Sequence, residues 1–304
     1  MYYERALELY NQPLFELLDQ ARMIHTQHHK HEKIQRCALL SIKTGACSED
    51  CAYCPQSAHY DTNVERTGLM ELHAVQAAIR QAKASGAGRF CMGASGRQVK
   101  DGADFDRVLE MVRMVKEEGM EACVTLGMLT GHQAVRLKEA GLDAYNHNLD
   151  TSREFYPSII TTRTYDDRLQ TLHHVREAKI QVCCGGIVGL GESREDRCAL
   201  IAELASMEPQ PESVPINMLI AVDGTPLEGK SVEPFDVIRM IAVARCLMPK
   251  TRIRLSAGRS HMSREAQALA FYAGANSVFF GEKLLTRDNP SVQEDEALFT
   301  ALGT

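Results

Sequence analysis

Residues 39–57 read LLSIKTGACSEDCAYCPQS and join a short apolar run to three closely spaced cysteines. The apolar run, Leu39 to Lys43, has the length and composition of a buried β-strand. Cys47, Cys51 and Cys54 follow it directly with C-x3-C-x2-C spacing. Because three neighbouring thiols can surround one metal centre, this stretch predicts a strand whose following loop binds metal.

Outward from this stretch, apolar runs alternate with amphipathic segments of helical periodicity. Several of these segments, such as residues 104–119, end at a glycine, as helices often do. The candidate strands are Leu39 to Lys43, Arg89 to Gly93, Glu121 to Leu126, Leu142 to His147, Gln181 to Val188, Val214 to Ile220, Arg252 to Ala257 and Asn276 to Phe280. We therefore predict an α/β fold, a (βα)8 barrel of the TIM type, with a doubly wound sheet as the alternative.

One domain spanning residues 1–304 is the simpler prediction for the organisation of the chain. No Gly/Ser/Pro-rich linker, low-complexity tract or convincing sequence repeat divides it. Residues 1–37 are expected to form N-terminal helices that flank the barrel. Residues 286–304 are expected to be an acidic, peripheral C-terminal tail.

Composition limits the class of protein. The chain is 44% hydrophobic and 24% charged and has a net charge of -6, so it has no general attraction for nucleic acid or an anionic membrane. It has no apolar run of membrane-spanning length, and residues 1–20 are acidic and amphipathic. We predict a cytoplasmic protein that acts on a small molecule. Its 10 cysteines then favour metal binding over disulfides, since the cytosol keeps thiols reduced.

Thiolate ligands select zinc, copper(I) or an iron–sulfur cluster for the three-cysteine loop. In a (βα)8 barrel, the loop that follows a strand lies at the active-site face. Three thiolates on a four-iron cluster would leave one iron without a protein ligand and open to a substrate. The spacing favours such a cluster, and structural zinc with Cys37 or a histidine as the fourth ligand is the alternative.

Further cysteines fall within the candidate strands. Inward residues from alternate strands share a layer in a barrel, so Cys123, Cys183 and Arg254 are able to converge, with Cys91 in a neighbouring layer. Core packing explains any one of these cysteines, but the group together indicates a functional site. Cys184 competes with Cys183, because adjacent strand residues point to opposite faces and only one of them can face inward.

The chain resembles the biotin synthase family of radical S-adenosylmethionine enzymes. The cysteine loop, with Tyr53 before its last cysteine, carries this resemblance, which extends from about Lys43 to Leu285. The other stretches that carry it are RFCMGAS, GLDAYNHNLDTS, IITTRTYDDRL, CCGGIVGLGE, ESVPINML and IRLSAGR. The resemblance implies that S-adenosylmethionine is cleaved to methionine and a 5′-deoxyadenosyl radical. The resemblance further implies that sulfur from an auxiliary cluster is inserted to convert dethiobiotin to biotin.

The resemblance also implies two clusters and no catalytic residue beyond their ligands. The residues that would hold a 4Fe-4S cluster are Cys47, Cys51 and Cys54. The residues that would hold a 2Fe-2S cluster are Cys91, Cys123, Cys183 and Arg254. From its chemistry alone Arg254 would be an anion-pairing residue, because a guanidinium has no lone pair to donate. The cysteines expected only to pack in the core are Cys37, Cys198 and Cys246.

Polar residues near the strand ends complete the expected site. By resemblance, the residues that would contact S-adenosylmethionine are Tyr53, Asn148, Asp150, Arg168, Gly185 and Glu192. Asn148 and Asn217 would bind the ureido ring of dethiobiotin. Helix capping and turn formation are the alternative for the Asn and Asp residues, and a plain turn is the alternative for residues 185–192.

Partners follow from the resemblance as well. They are an external low-potential electron donor such as flavodoxin or ferredoxin, the iron–sulfur assembly machinery, and a second copy of the chain in a homodimer. The histidine patch of His25, His28, His29 and His31 is expected to be exposed and unrelated to metal, because no carboxylate or cysteine motif surrounds it.

Overall fold

A computed structural model of the chain describes residues 1–30, 32–227, 229 and 231–304. The strands are β1 (Gln35–Lys43), β2 (Arg89–Ala94), β3 (Glu121–Thr125), β4 (Ala144–Asn146), β5 (Gln181–Cys183), β6 (Gly186–Val188), β7 (Ser213–Met218), β8 (Arg252–Leu255) and β9 (Ser277–Phe279). The helices are α1 (Tyr2–Tyr10), α2 (Leu14–His29), α3 (Leu72–Ala84), α4 (Ala103–Glu117), α5 (Gly131–Glu139), α6 (Tyr165–Glu177), α7 (Arg194–Ser206), α8 (Pro234–Leu247), α9 (Arg264–Tyr272) and α10 (Val292–Leu302).

The strands form one closed parallel sheet. Their order is β5-β4-β3-β2-β1-β9-β8-β7-β6, and pairing of Cys183 on β5 with Ser213 on β7 closes it. β5 and β6 occupy one strand position, which is interrupted at Cys184 and Gly185. The sheet therefore has eight positions with helices around it, which confirms the predicted (βα)8 barrel and excludes the doubly wound sheet.

Gly185 allows the break between β5 and β6. An added Cβ at this position would overlap the carbonyl oxygen of Pro215 on β7, so only glycine permits this approach of the two backbones. The chain then resumes as β6, whose Gly186 pairs with Ile216. Because of this interruption, the residues of β6 lie at the open end of the barrel.

β1 begins four residues before the predicted strand, at Gln35. Its extra residues pair with β9, with Gln35 opposite Ser277 and Cys37 opposite Phe279. Because residues two apart on a strand share a face, Cys37 lies on the same face as Leu39. The longer strand thus adds a cysteine to the barrel interior.

The helices surround the barrel, and several of them begin at a capping box. Thr130, Thr164 and Ser193 each form a capping box at the start of α5, α6 and α7, respectively. The N-terminal helices pack outside this ring, α1 mainly against α7 and α2 against α8. The C-terminal segment contains α10, whose Leu298 and Phe299 are buried. No helix within the described ranges is long and apolar enough to cross a membrane.

The histidine patch differs from its predicted exposure. His28 is exposed, but His29 is only 6% exposed, and its Nε2 lies 2.9 Å from the carbonyl oxygen of Pro249. The expectation of an exposed patch is therefore wrong for His29, because α2 packs against α8 and covers it. His31 lies outside the described residues.

A buried ion pair joins the C-terminal helix to the barrel. Asp295 on α10 accepts hydrogen bonds from Nη2 of Arg259 at 2.7 Å through both carboxylate oxygens, and the two side chains are 1% and 0% exposed. Asp295→Asn should lower the free energy of unfolding by about 3–5 kcal/mol, because it leaves a buried charge without its partner. Equilibrium urea denaturation measures this loss.

Glu296→Gln is the matched control on the same helix. Glu296 pairs with Arg36 but is 46% exposed, so its replacement should cost at most about 1 kcal/mol. Equal effects of the two substitutions would contradict a special contribution of the buried pair.

Candidate active site

A cavity of about 280 Å³ occupies the end of the barrel at which the strands finish. Its inner part is lined by Cys91, Cys123 and Arg254, which lie on the strands. Its outer part is lined by Tyr53 and Cys54 of the β1–α3 loop. The lining also includes Asn148, Asp150, Asn217 and Leu285. Such a partly apolar, concave space with a few polar groups suits a small ligand.

The three-cysteine loop is folded tightly on itself. The amide of Cys47 donates to the carbonyl oxygen of Gln56 at 2.9 Å, and the amide of Cys54 donates to the carbonyl oxygen of Cys51 at 2.9 Å. Ala46 begins the turn with φ of 54°, a left-handed conformation. Cys51 is buried, whereas Cys47 and Cys54 are partly exposed. The backbone thus presents three thiols at one end of the barrel.

A buried arginine that the sequence reasoning missed adjoins this loop. Nη2 of Arg163 lies 3.5 Å from Sγ of Cys51, and its Nε lies 3.4 Å from a carboxylate oxygen of Glu49. Glu49 also pairs with Arg97 at 2.8 Å. No sequence signal set Arg163 apart from the other arginines, because its position depends on the packing of two distant loops.

Burial controls protonation of the loop thiols. It raises the pKa of Cys51 to about 12, against the opposing effect of the Arg163 and Arg168 charges. Burial also raises the pKa of Cys54 to about 11. These thiols therefore hold their protons at neutral pH, and a bound metal centre would displace them. Among the described residues, no three His, Cys, Asp or Glu side chains converge closely enough to hold a single metal ion.

Asp150 organises the polar wall of the cavity. Its Oδ2 accepts from the Tyr53 hydroxyl at 2.8 Å and from Nη2 of Arg168 at 2.5 Å. Nε of Arg168 also donates to the Tyr156 hydroxyl at 3.0 Å. Burial alone would lower the pKa of Arg168, but the negative charges around it, that of Asp150 first among them, together raise it. Arg168, expected to face the cofactor carboxylate, is thus paired within the protein.

Asn148 and Asn217 both line the cavity and connect neighbouring strands. Oδ1 of Asn148 accepts from the amide of Gly185 at 3.1 Å. Nδ2 of Asn217 donates to the carbonyl of Gly186 at 3.0 Å, and its Oδ1 accepts from the amide of Ala257 at 3.2 Å. These bonds fix both amides at the cavity wall, where they are available to a ligand.

The other expected cofactor contacts lie behind this wall. Gly185 approaches the backbone of β7, and Glu192 pairs with Arg197 at 2.6 Å and accepts from the amide of Gly189 at 2.9 Å. Neither Gly185, Glu192 nor Arg168 is among the described residues that line the cavity. They shape the loops that bound it.

A group of thiols lies deep in the barrel around Arg254. Nη1 of Arg254 points to Sγ of Cys183 at 3.8 Å, and Nη2 points to Sγ of Cys37 at 3.3 Å. Cys37, Cys91 and Cys123 pack in one buried cluster that is separate from the main core. The expectation that Cys37 only packs in the core is therefore incomplete, because the extended β1 brings it to this group.

Cys183 and Cys184 point in different directions, as strand geometry requires. The Sγ of Cys183 lies 3.3 Å from Nδ2 of Asn146 inside the barrel. Cys184 belongs to the main hydrophobic core, and Tyr165 of α6 lies near it. Of the two candidates, Cys183 is thus the one next to Arg254.

Comparisons with known proteins relate this site to a family. A family model described as "Radical SAM superfamily" matches residues 41–204, and one described as "Biotin and Thiamin Synthesis associated domain" matches residues 215–304. A biotin synthase from Sorangium cellulosum (strain So ce56) is 58% identical over 301 residues, covering 99% of this chain and 86% of the relative. The chain belongs to the biotin synthase family. A second family member, from Methylorubrum extorquens (strain PA1), is 59% identical over 297 residues and covers 97% of this chain and 89% of its own.

As a member of the biotin synthase family, the chain is a radical S-adenosylmethionine sulfurtransferase. Membership of the superfamily implies a 4Fe-4S cluster and S-adenosylmethionine as cofactors. Solved structures share the fold at low identity. Methylornithine synthase (PylB) superposes with a TM-score of 0.81 at 19% identity, covering 98% of this chain and 90% of its own. The maturase HydG from Carboxydothermus hydrogenoformans superposes with a TM-score of 0.81 at 17% identity, covering 98% of this chain and 74% of its own.

Proposed function

We propose that this chain converts dethiobiotin to biotin with sulfur taken from an auxiliary 2Fe-2S cluster deep in the barrel. Two carbon–hydrogen bonds break and two carbon–sulfur bonds form. Each C–H cleavage consumes one S-adenosylmethionine and one electron from a low-potential donor such as flavodoxin or ferredoxin. The observation that carries this proposal is the placement of two thiol groups at the two ends of one cavity.

The donor sets suit the two clusters. Cys47, Cys51 and Cys54 form a thiol-only set on one loop, as a 4Fe-4S cluster with one open iron needs. The deep residues that would hold the auxiliary cluster are Cys91, Cys123, Cys183 and Arg254. All four of them are buried, which suits a cluster that must be shielded from water. When bound, the first cluster and S-adenosylmethionine supply the radical chemistry that removes hydrogen from carbon.

The protein's own residues bind and orient the reactants. Tyr53, Asp150 and Asn148 present hydroxyl, carboxylate and amide groups to the ribose and amino acid parts of S-adenosylmethionine. Asn148 and Asn217 offer donors and acceptors that match a ureido ring. We assign Arg168, Gly185 and Glu192 to the cofactor indirectly, through the loops that they hold in place.

The loop after β9 covers part of the cavity mouth. Leu285 lies against Gly93, where an added Cβ would come within 2.5 Å of Cδ2 of the leucine. This contact brings the loop after β9 over the end of the barrel. A covered, partly apolar cavity would protect a reactive intermediate from side reactions.

Arg163 provides a test of the first-cluster assignment. Arg163→Gln removes a buried cation from beside Cys51, so the more negative reduced cluster loses stabilisation. We expect the reduction potential to fall by on the order of tens of millivolts. Potentiometric titration followed by electron paramagnetic resonance measures it.

Two variants serve as controls for Arg163→Gln. Arg163→Lys keeps the positive charge, so its reduction potential should stay close to that of the unmodified protein. Arg153→Gln removes an exposed arginine that is paired with Asp166 and serves as the second control. An unchanged potential in Arg163→Gln would argue against Cys51 as a ligand of that cluster.

The activity itself is tested with anaerobically reconstituted protein. Given dethiobiotin, S-adenosylmethionine and a low-potential reductant, it should form biotin, methionine and 5′-deoxyadenosine. Formation of 5′-deoxyadenosine without a sulfur-containing product would refute the substrate assignment. If the amount of biotin formed rises in proportion to the content of auxiliary cluster, that result would support the cluster as the sulfur source.

The broader setting of this activity is also proposed. We infer that the chain works in the cytoplasm as a homodimer of single-domain subunits spanning residues 1–304. The iron–sulfur assembly machinery would load both clusters. Sedimentation of the anaerobic protein at several concentrations tests the dimer.

A further inference from the structure

A buried arginine, Arg89, lies below the deep thiol group at the base of the barrel. It is the first residue of β2, pairs in register with Cys37 on β1, and comes two residues before Cys91. Because residues two apart on a strand share a face, Arg89 and Cys91 point into the barrel together. The Arg89 side chain is 4% exposed, so the barrel interior holds a cation one strand step beneath the thiols.

The neighbours of Arg89 come from the same level of other strands. Its Nε donates to a carboxylate oxygen of Glu121 at 2.8 Å, and its Nη2 donates to Oε1 of Gln181 at 3.4 Å. Glu121 lies two residues before Cys123, and Gln181 lies two residues before Cys183. The guanidinium is therefore held between three strands, each of which carries one of the proposed cluster cysteines two residues further on.

The remaining nitrogen of Arg89 has no partner. Its Nη1 is buried and makes no hydrogen bond within the part of the chain that the structure describes. A buried N–H group without an acceptor is costly, and native proteins usually supply a partner or a bound anion. The interior layers of a (βα)8 barrel are usually filled by branched apolar side chains, so a guanidinium at this level needs a specific reason.

Glu121 does not cancel the charge of Arg89 at the thiols. The Glu121 carboxylate is 46% exposed at the base of the barrel and is screened by water, whereas the Arg89 side chain is shielded from water. A cluster bound through thiolates and sulfides carries a net negative charge, which increases on reduction. A buried cation and an N–H donor beside such a cluster stabilise its reduced state and raise its reduction potential.

We propose that Arg89 is an electrostatic partner of the auxiliary cluster, and that its free Nη1 donates a hydrogen bond to the cluster from the base of the barrel. Arg89 thereby makes the cluster easier to reduce. This inference rests on the proposed function, because it requires the cluster held by Cys91, Cys123, Cys183 and Arg254. It adds a residue outside that ligand set and leaves the reaction unchanged.

The test compares full-length proteins reconstituted anaerobically with ⁵⁷Fe and sulfide. All samples are held at the midpoint potential of the two-iron component of the unmodified protein. The variants are Arg89→Met, Arg89→Gln and Arg89→Lys, and the matched control is Arg80→Met on α3, where Arg80 is 70% exposed and pairs with Glu118. Mössbauer spectra give the reduced-to-oxidised ratio of the two-iron component. The melting temperature of each cluster-free protein shows whether the substitution disturbs the fold.

We expect this ratio to fall by about 10-fold or more in Arg89→Met, because a buried charge near the cluster is lost. Arg89→Gln keeps an N–H donor without the charge, so its ratio should fall by a smaller factor. Arg89→Lys keeps the charge and should stay within about 3-fold of the unmodified protein. Arg80→Met should match the unmodified protein, and the midpoint potential of the four-iron component should not move in any variant.

A two-iron component that assembles in Arg89→Lys but in neither neutral variant, with unchanged melting temperatures, would also support a required charge. An unchanged ratio in the neutral variants would overturn the role of Arg89 and leave the proposed function intact. An equal fall of the ratio in Arg89→Lys, or loss of the two-iron component in all three variants, would show that packing and not charge is required. A two-iron component that is absent already from the unmodified protein would refute the auxiliary cluster, and with it the proposed source of sulfur.

Discussion

Replacement of Cys54 by alanine should abolish biotin formation. Cys54 is the loop thiol that lines the cavity, and it is one of only three proposed ligands of the first cluster. Two thiolates do not hold a four-iron cluster firmly, so we expect a loss of about four irons per chain. Without that cluster, 5′-deoxyadenosine should not form either. Product analysis by mass spectrometry and iron analysis of the same samples test both expectations.

Cys246→Ala is the control for this substitution. Cys246 lies on α8 away from the cavity, so its loss should leave iron content and turnover near those of the unmodified protein. Cys54→Ala protein that keeps both its four-iron component and its turnover would contradict the proposed ligand set. Loss of turnover with full iron content would instead point to a role of Cys54 in binding S-adenosylmethionine.

The barrel could be predicted from sequence because its signals are local. Each strand position coincides with an apolar run, and the active-site loop follows directly from the run at β1. The ends of the strands were harder to predict, because pairing with neighbours distant in sequence determines them. β1 continues back to Gln35 only because β9 pairs with it there, and β5 stops at Cys183 because Gly185 meets β7.

The composition of the site was less predictable than its location. Cys37 lies two residues before the predicted strand, so that prediction does not include it. The period-two pattern of a strand, extended back from Leu39, would have placed it on the inner face. Arg163 had no such signal, since its contact with Cys51 joins residues 112 positions apart.

Paired charges explain why expected ligand contacts are absent from the cavity wall. Arg168 and Glu192 are both buried and ionisable, and each needs a partner of opposite charge. Sequence alone does not show whether that partner is a ligand or another residue. Here Asp150 and Arg197 fill this role.

Asp150→Asn should have the largest combined effect on stability and cofactor binding. The substitution keeps the shape of the side chain but leaves Arg168, which is only 5% exposed, without its buried counter-charge. We expect the free energy of unfolding to fall by about 3–5 kcal/mol. The Tyr53 hydroxyl also loses a charged acceptor, so the affinity for S-adenosylmethionine should fall by about 10-fold or more. Urea denaturation and anaerobic equilibrium dialysis measure the two effects.

Two comparisons separate the buried pair from a general effect of lost charge. Asp166→Asn breaks a pair with Arg153 in which both residues are exposed, so it should cost at most about 1 kcal/mol. In Asp150→Asn combined with Arg168→Met, no buried charge is left unpaired, so part of the lost stability should return while cofactor affinity stays low. If instead the double variant is less stable than Asp150→Asn by the full cost of a second substitution, the two side chains act independently, and Asp150 affects the cofactor by direct contact alone.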